Sequence, residues 1–232
     1  MGGTQHPGSG QPKSTPSMSL RASRECCTII AENIEQLAQN AGRLLTLDEE
    51  PMGRRIAWIL TVHAIDEAGK LIMMMKESVA AESSKSKEVR IGRHRSHAAK
   101  GSEAGTAGLQ ALNMFEEVIT RLVQDVMKGG FDIQRYRNHL EAVRTNFSGE
   151  RSGALYAVFA DGQCLPPTCP HEKDIYVDAW ILNLMATIVK INLKHGKSFE
   201  DVDKIVRKIM NSSRVLMAEW EKGFGSGQSS VD

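Results

Sequence analysis

The chain has 232 residues, a net charge of +1 and 41% hydrophobic side chains, so it is long enough to bury a core. The near-neutral charge excludes a polycation that binds nucleic acid over its whole surface, and leaves only a local basic patch for that purpose. Aromatic residues make up only 5% of the chain, which favours helices over a β-sandwich.

The two ends of the chain are rich in glycine, serine and glutamine. This composition predicts disordered tails at residues 1–19 and 223–232, on either side of one helical domain at 20–222. The first residues lack the apolar core of a secretion signal, and no apolar run approaches the roughly 18 residues that span a bilayer. We therefore expect a cytoplasmic chain with reduced thiols and no membrane contact.

Apolar residues recur every three or four positions from about residue 21 to 45, which predicts an amphipathic first helix. A second helix is predicted at about 49–79 and is apolar on most sides, as expected at the centre of a bundle. The basic stretch that follows is broken by Gly92 and Gly101, which predicts a loop with a short helix at about 87–99. A long helix at about 103–127 and a shorter one at about 132–147 follow.

The segment near 154–170 does not have the helical spacing of the preceding residues. It consists of a short β-type run, an Asp-Gly pair that predicts a turn, and then prolines. Helices are predicted again at about 173–194 and 199–221, and Ser198 and Asp201 have the spacing of a capping box before the last one. The fold class that results is an all-α antiparallel helical bundle with a small irregular or β-hairpin insert.

The second helix carries ionisable side chains within its apolar sequence. His63, Glu67 and Lys70 are spaced i, i+4 and i+7, so they share one face of the helix, with Glu67 near the middle of an apolar stripe. A buried carboxylate needs a cationic or hydrogen-bonding partner. Glu67 either bridges helices in a structural network or belongs to a polar pocket that acts on another molecule.

The basic segment that follows offers partners for such an acid. Arg93, His97 and Lys100 have the same i, i+4, i+7 spacing, so in a helix they would line one side. Such a face would neutralise Glu67, or would bind a phosphate with arginine and use histidine as an acid or base. The alternative is a solvated loop.

Three blocks of sequence resemble the AbiV family of prokaryotic abortive-infection proteins, which is related to the HEPN helical superfamily. The first block is Glu67 to Lys70, preceded by Asp66 where the family has a second glutamate. The second contains His97 and Lys100. The third combines a basic residue, a Leu-Tyr pair, an Asp-Gly turn and a proline, here Arg151, Leu155, Tyr156, Asp161, Gly162 and Pro167.

The resemblance implies an antiphage function, a helical bundle and a homodimer. It also implies a metal-independent endoribonuclease as one function, because active HEPN nucleases use an arginine, four to six residues and then a histidine. Arg90 and His97 fit that spacing, whereas Arg93 with His97 and Arg135 with His139 are separated by only three residues. In that case His97 would act as base or acid, Arg90 or Arg93 would stabilise the transition state, and Glu67 would orient the imidazole.

The same resemblance is compatible with a protein that does not catalyse a reaction. In this hypothesis the polar site, with His63, Lys70 and Lys100, binds a phage or host component, either a protein or RNA. The low net charge and the imperfect arginine–histidine spacing favour this binding function, whereas the basic residues at 85–100 favour RNA.

A third group of side chains is Cys164, Cys169 and His171, which together offer three zinc ligands. The alternative is a proline-rich loop with free thiols, because the spacing matches no familiar zinc ribbon. The sequence contains neither a phosphate-binding glycine loop nor a nucleophile elbow, and no cofactor is expected.

Overall fold

A computed structural model of the protein describes residues 16–47, 51–90, 96–155, 158–160, 163–165, 167 and 169–209. The described elements, in chain order, are β1 Ser17–Ser19, α1 Leu20–Leu47, α2 Pro51–Ser83, β2 Glu88–Arg90, α3 His97–Met127, α4 Ile133–Leu155, β3 Val158–Ala160, β4 Gln163–Leu165, α5 Glu172–Lys194, and a sixth helix, α6, over 199–209. The architecture is therefore an all-α bundle, as the sequence predicts.

Helix α2 lies at the centre of the bundle and packs against α1, α3, α4 and α5. Its neighbour α1 buries a face of small and aliphatic residues at alternating three- and four-residue spacing, which is the pattern of an amphipathic helix. This buried face consists of Cys27, Ala31, Ile34, Ala38 and Ala41. The fully buried Trp58 of α2 belongs to a core cluster that also contains residues of α1, α4 and α5.

Two short antiparallel strand pairs accompany the helices in the described part of the chain. Strands β3 and β4 form the hairpin predicted near 154–170. Strand β1 pairs with β2, with Met18 opposite the buried Val89. The disordered tail predicted for residues 1–19 was therefore wrong for Ser17–Ser19, because backbone hydrogen bonds to β2 hold these residues. Residues 1–15 and the tail predicted at 223–232 lie outside the described residues.

Helix α3 begins earlier than predicted. Instead of a short helix at 87–99 followed by another from 103, one helix begins at His97 and continues to Met127, with a kink at Phe115. Ser96 caps it, since its Oγ accepts a hydrogen bond from the amide of Ala99 at 3.2 Å. Residues 91–95, including Arg93, lie outside the described residues.

Two glycines allow α3 to pack closely on both sides. A Cβ on Gly69 of α2 would lie 2.3 Å from the carbonyl oxygen of Lys100, and one on Gly101 would lie 2.0 Å from Cβ of Phe147 in α4. Real Cβ atoms do not make such short contacts, so both positions require glycine. The glycine in the block from Glu67 to Lys70 thus has a structural cause, which is the approach of the α3 backbone.

Helix α4 was predicted to end at about residue 147 but continues to Leu155, with non-helical backbone at Asn146. The bounds of α1, α2 and α5 agree with the prediction within a few residues, and α6 is described as far as residue 209. Its capping box is confirmed, because Ser198 Oγ accepts a hydrogen bond from the amide of Asp201 at 3.0 Å and donates one to Asp201 Oδ2 at 2.8 Å. Among the described helices, none has an apolar stretch long enough to cross a membrane.

Candidate functional site

A buried carboxylate joins α2 to the first turn of α3. Asp66 is 8% exposed, and its Oδ1 accepts a hydrogen bond from Nδ1 of His97 at 2.6 Å. Its Oδ2 accepts a hydrogen bond from Nζ of Lys100 at 2.8 Å. We call Asp66, His97 and Lys100 the α2–α3 site. The negative charge also lies at the N-terminal end of α3, where the helix dipole favours an anion.

The two partners of Asp66 determine the protonation state of its carboxyl group. Burial raises the pKa of the Asp66 carboxyl, but the hydrogen bonds and charges of Lys100 and His97 lower it more, so its pKa lies below the usual value. Asp66 is therefore ionised at neutral pH and can only accept hydrogen bonds. Nδ1 of His97 must then carry the proton it donates to Asp66, and Nε2 of the neutral imidazole carries none.

The three side chains of the site differ in exposure. The side chain of Lys100 is only 4% exposed, whereas that of His97 is 41% exposed. Lys100 therefore serves to neutralise Asp66 within the bundle. His97 is the one member of the site that another molecule can reach, and its orientation is fixed through Nδ1.

The structure corrects the identity of the acid. Glu67 was predicted to meet His97 and Lys100, but among the described contacts it forms an ion pair with Lys70 of its own helix. Both side chains lie near Cys26 of α1. Burial is the main reason why the pKa of the Cys26 thiol is raised; the charge of Glu67 raises this pKa further, and the charge of Lys70 lowers it. The reason is helical geometry, since adjacent residues point about 100° apart. Asp66 faces α3, and Glu67 faces α1.

The other predicted members of the site are not joined to this cluster by the described contacts. His63 is exposed on α2. Arg90 is exposed in β2 and is separated from His97 by residues 91–95, which lie outside the described part of the chain together with Arg93. The structure therefore brings together His97 and Lys100 of the predicted residues, with Asp66 added, and leaves the arginine of the nuclease hypothesis untested.

A second polar cluster, which the sequence analysis did not predict, connects α4 to α5. Arg135 donates two hydrogen bonds to the two oxygens of Asp174, at 2.9 and 3.1 Å. Asp178, one turn after Asp174 in α5, accepts hydrogen bonds at its two oxygens from the hydroxyl of Tyr136 at 2.8 Å and from Nε2 of His139 at 2.7 Å. The cluster thus consists of two pairs with i, i+4 spacing, Arg135 with His139 and Asp174 with Asp178, together with Tyr136.

The histidine of this second cluster is closed to solvent, which distinguishes it from His97 of the α2–α3 site, whereas the side chain of Arg135 is 37% exposed. The side chain of His139 is 8% exposed, and its ring packs edge-on against Trp58 at 5.5 Å between centroids. Burial lowers the pKa of His139, but the charge and hydrogen bond of Asp178 raise it more, so the net shift is upward. We interpret this cluster as a structural bridge, because its charges satisfy one another inside the bundle.

The sequence contained one indication of this bridge. Asp174 and Asp178 are spaced i, i+4 in a helix whose other residues are largely apolar, and Arg135 and His139 have the same spacing in α4. Acids inside an apolar helix require cations opposite them. Only the structure shows that Arg135 pairs with Asp174 and His139 with Asp178, each across 39 residues of sequence.

The predicted zinc ligands show other interactions where they are described. Sγ of Cys169 donates to the carbonyl of Arg54 at 3.8 Å, and Nδ1 of His171 accepts from the amide of Lys173 at 3.3 Å as the cap of α5. Within the described residues, no three histidine, cysteine or acidic side chains form a group that could hold a metal ion. The side chain of Cys164 lies outside this description, so the zinc hypothesis stays untested.

Comparison of the chain with protein-family models, with curated proteins and with solved structures found no match. The fold and the site define the protein as an all-α bundle in which a half-exposed histidine is hydrogen-bonded to a buried aspartate. The resemblance to AbiV proteins rests on the sequence blocks alone.

Proposed function

We propose that the protein is a prokaryotic antiphage factor of the abortive-infection type, and that it binds a phage or host component at the α2–α3 site. One observation supports the choice of this site. His97 presents a half-exposed imidazole whose orientation is fixed by the buried Asp66, whereas the histidine of the second cluster is enclosed. A fixed polar group at an accessible position is what specific recognition requires.

The charges around the site favour a protein as the bound component over RNA. The ammonium groups of Lys70 and Lys100 are paired with the carboxylates of Glu67 and Asp66, so two positive charges are balanced by two negative ones. Phosphate binding depends on unpaired cations. Nε2 of the neutral imidazole, which can only accept, instead suits a hydrogen bond from a donor on a protein surface.

A second candidate function is the metal-independent endoribonuclease, and the hydrogen bond between Asp66 and His97 favours it. Because Nδ1 is bound to Asp66, the unprotonated Nε2 is available as a general base. In that mechanism Nε2 takes the proton of a ribose 2′-hydroxyl, O2′ bonds to the adjacent phosphorus, and the bond from phosphorus to O5′ breaks. The departing O5′ takes a proton from water.

The residue roles of this second candidate differ from those predicted from sequence. Asp66 replaces Glu67 as the residue that positions the imidazole, and Lys100 is too deeply buried to hold a phosphate. Arg90 or Arg93 would have to approach the phosphate to stabilise its developing negative charge. Residues 85–90 and the exposed face of α3 are then the RNA-binding surface.

One experiment tests both functions. Bacteria that express the wild-type chain, His97→Ala or His195→Ala are challenged with a panel of phages, plaques are counted, and RNA is extracted from the same cultures. His195 is the matched control, because it is an exposed histidine at the end of α5, away from Asp66. We expect protection with wild type and His195→Ala and its loss with His97→Ala.

The RNA from these cultures separates the two candidates. Intact RNA in protected cells supports binding alone. RNA fragments that depend on His97 support the nuclease, with a loss of about 10²–10⁴-fold in cleavage rate for purified His97→Ala, as expected for removal of a general base. Equal protection by wild type and His97→Ala would contradict the assignment of the site, and no protection by wild type against any phage would contradict the antiphage proposal.

A further inference from the structure

A cavity of about 320 Å³ lies between α2, α3, α4, α5 and α6. Its volume is about twice that of an engineered apolar cavity of ~150 Å³ that binds benzene, and it falls within the range of natural ligand pockets. The wall is predominantly aliphatic, with contributions from Leu71, Leu140, Ile181, Leu182, Met185 and Val189. The cavity is separate from the α2–α3 site, because Asp66, His97 and Lys100 are not among its described lining residues.

The mouth of the cavity differs from its interior. Apart from Asp178, the charged residues in the described lining form two ion pairs, Lys76 with Glu103 and Asp203 with Arg207, and their side chains are between 31% and 71% exposed. These charges therefore face solvent and compensate one another. They do not select a ligand by charge, so selection must occur inside.

The lining includes two buried polar residues, Tyr136 and Asp178, which we call the polar end of the cavity. Tyr136 is fully buried and Asp178 is 5% exposed. The two carboxylate oxygens of Asp178 each accept one hydrogen bond, from Tyr136 and from His139. Each carboxylate oxygen has two lone pairs, so Asp178 retains the capacity to accept a further hydrogen bond, and it has no proton to donate.

We propose that this cavity binds a small, mainly apolar amine of about the size of a naphthalene ring system. The apolar part fills the space between the aliphatic side chains, and the amine donates a hydrogen bond to Asp178. A carboxylate ligand of the same shape is disfavoured, because at this end it would bring acceptor oxygens against the acceptor oxygens of Asp178.

The test uses two probes of equal shape, 1-naphthylmethylamine and 1-naphthoic acid, in calorimetric titrations of the full chain. We expect the amine to bind the wild-type protein at least about tenfold more tightly than the acid, as a hydrogen bond to a charged group provides. If the amine does not bind, the cavity is not a ligand site. If the acid binds equally well, Asp178 does not select the ligand.

Two substitutions on α5 locate the bound probe. Met185→Trp fills the cavity, whereas Ile191→Trp is the matched control, since Ile191 is 46% exposed and outside the lining. The affinity for the amine should fall by about tenfold or more in Met185→Trp and change by less than about twofold in Ile191→Trp. Unchanged binding in Met185→Trp would overturn the proposed location. Leu182→Trp is the second filling variant if Met185→Trp does not fold, and the two-probe comparison needs no variant.

Discussion

Replacement of Asp66 by alanine is expected to lower the free energy of unfolding by about 3–5 kcal/mol, which is the usual effect of removing one partner of a buried ion pair. The reason is the burial of Lys100, whose side chain is 4% exposed and whose ammonium donates to Asp66. Without the carboxylate, this positive charge would remain inside the bundle uncompensated. Urea denaturation followed by circular dichroism measures the change.

The control for this prediction removes both charges together. In the double variant Asp66→Leu/Lys100→Met, apolar side chains replace the pair, and such replacements are often neutral or stabilising. We therefore expect the double variant to recover most of the stability that Asp66→Ala loses. If Asp66→Ala costs less than about 1 kcal/mol, the value typical of exposed pairs, the carboxylate is not buried between α2 and α3 as described.

Replacement of Gly69 by alanine is expected to lower the free energy of unfolding by about 1–3 kcal/mol or more, as for other insertions into close-packed positions. Alanine favours helix by about 1 kcal/mol over glycine, so the loss would occur against local propensity. The added Cβ would lie 2.3 Å from the carbonyl oxygen of Lys100, which belongs to the backbone and can move only with α3. Displacement of α3 would also separate Lys100 from Asp66.

Gly42 provides the matched control for this substitution. It lies within α1, and a Cβ added there would have no atom within 4 Å. Gly42→Ala is therefore expected to leave the stability unchanged or to raise it by up to about 1 kcal/mol. Thermal and urea denaturation of both variants give the comparison. A stabilising effect of Gly69→Ala would contradict the close contact between α2 and α3.

Most helices were predictable because their apolar residues recur with helical spacing, and the hairpin because the Asp-Gly pair in the sequence predicts a turn between two extended runs. The start of α3 was not predictable in this way. Glycine lowers helix propensity, so Gly101 and its neighbours indicated a break before residue 103. In the structure that glycine is required by contact with Phe147, and tertiary packing outweighs local propensity.

For the candidate site, the sequence predicted a carboxylate bound by His97 and Lys100, but it did not predict correctly which residue carries that carboxylate. Sequence spacing predicted that Glu67 of α2 would meet His97 and Lys100, whereas in the structure these two residues contact its neighbour Asp66. The choice between Asp66 and Glu67 depends on the rotation of α2 about its own axis. Because α2 is apolar on nearly all sides, no polar face in the sequence fixes that rotation. The packing of α1 and α3 on either side of the helix determines it.

The central claim is that Asp66 fixes the tautomer of His97 and leaves Nε2 free to interact. A long-range ¹H–¹⁵N spectrum of the histidine side chains, recorded where the imidazole is neutral, tests it directly. We predict that His97 carries its proton on Nδ1 in the wild type and in Glu67→Gln, and that Asp66→Asn alters this state. A proton on Nε2 in the wild-type protein, or an altered state in Glu67→Gln alone, would contradict the claim.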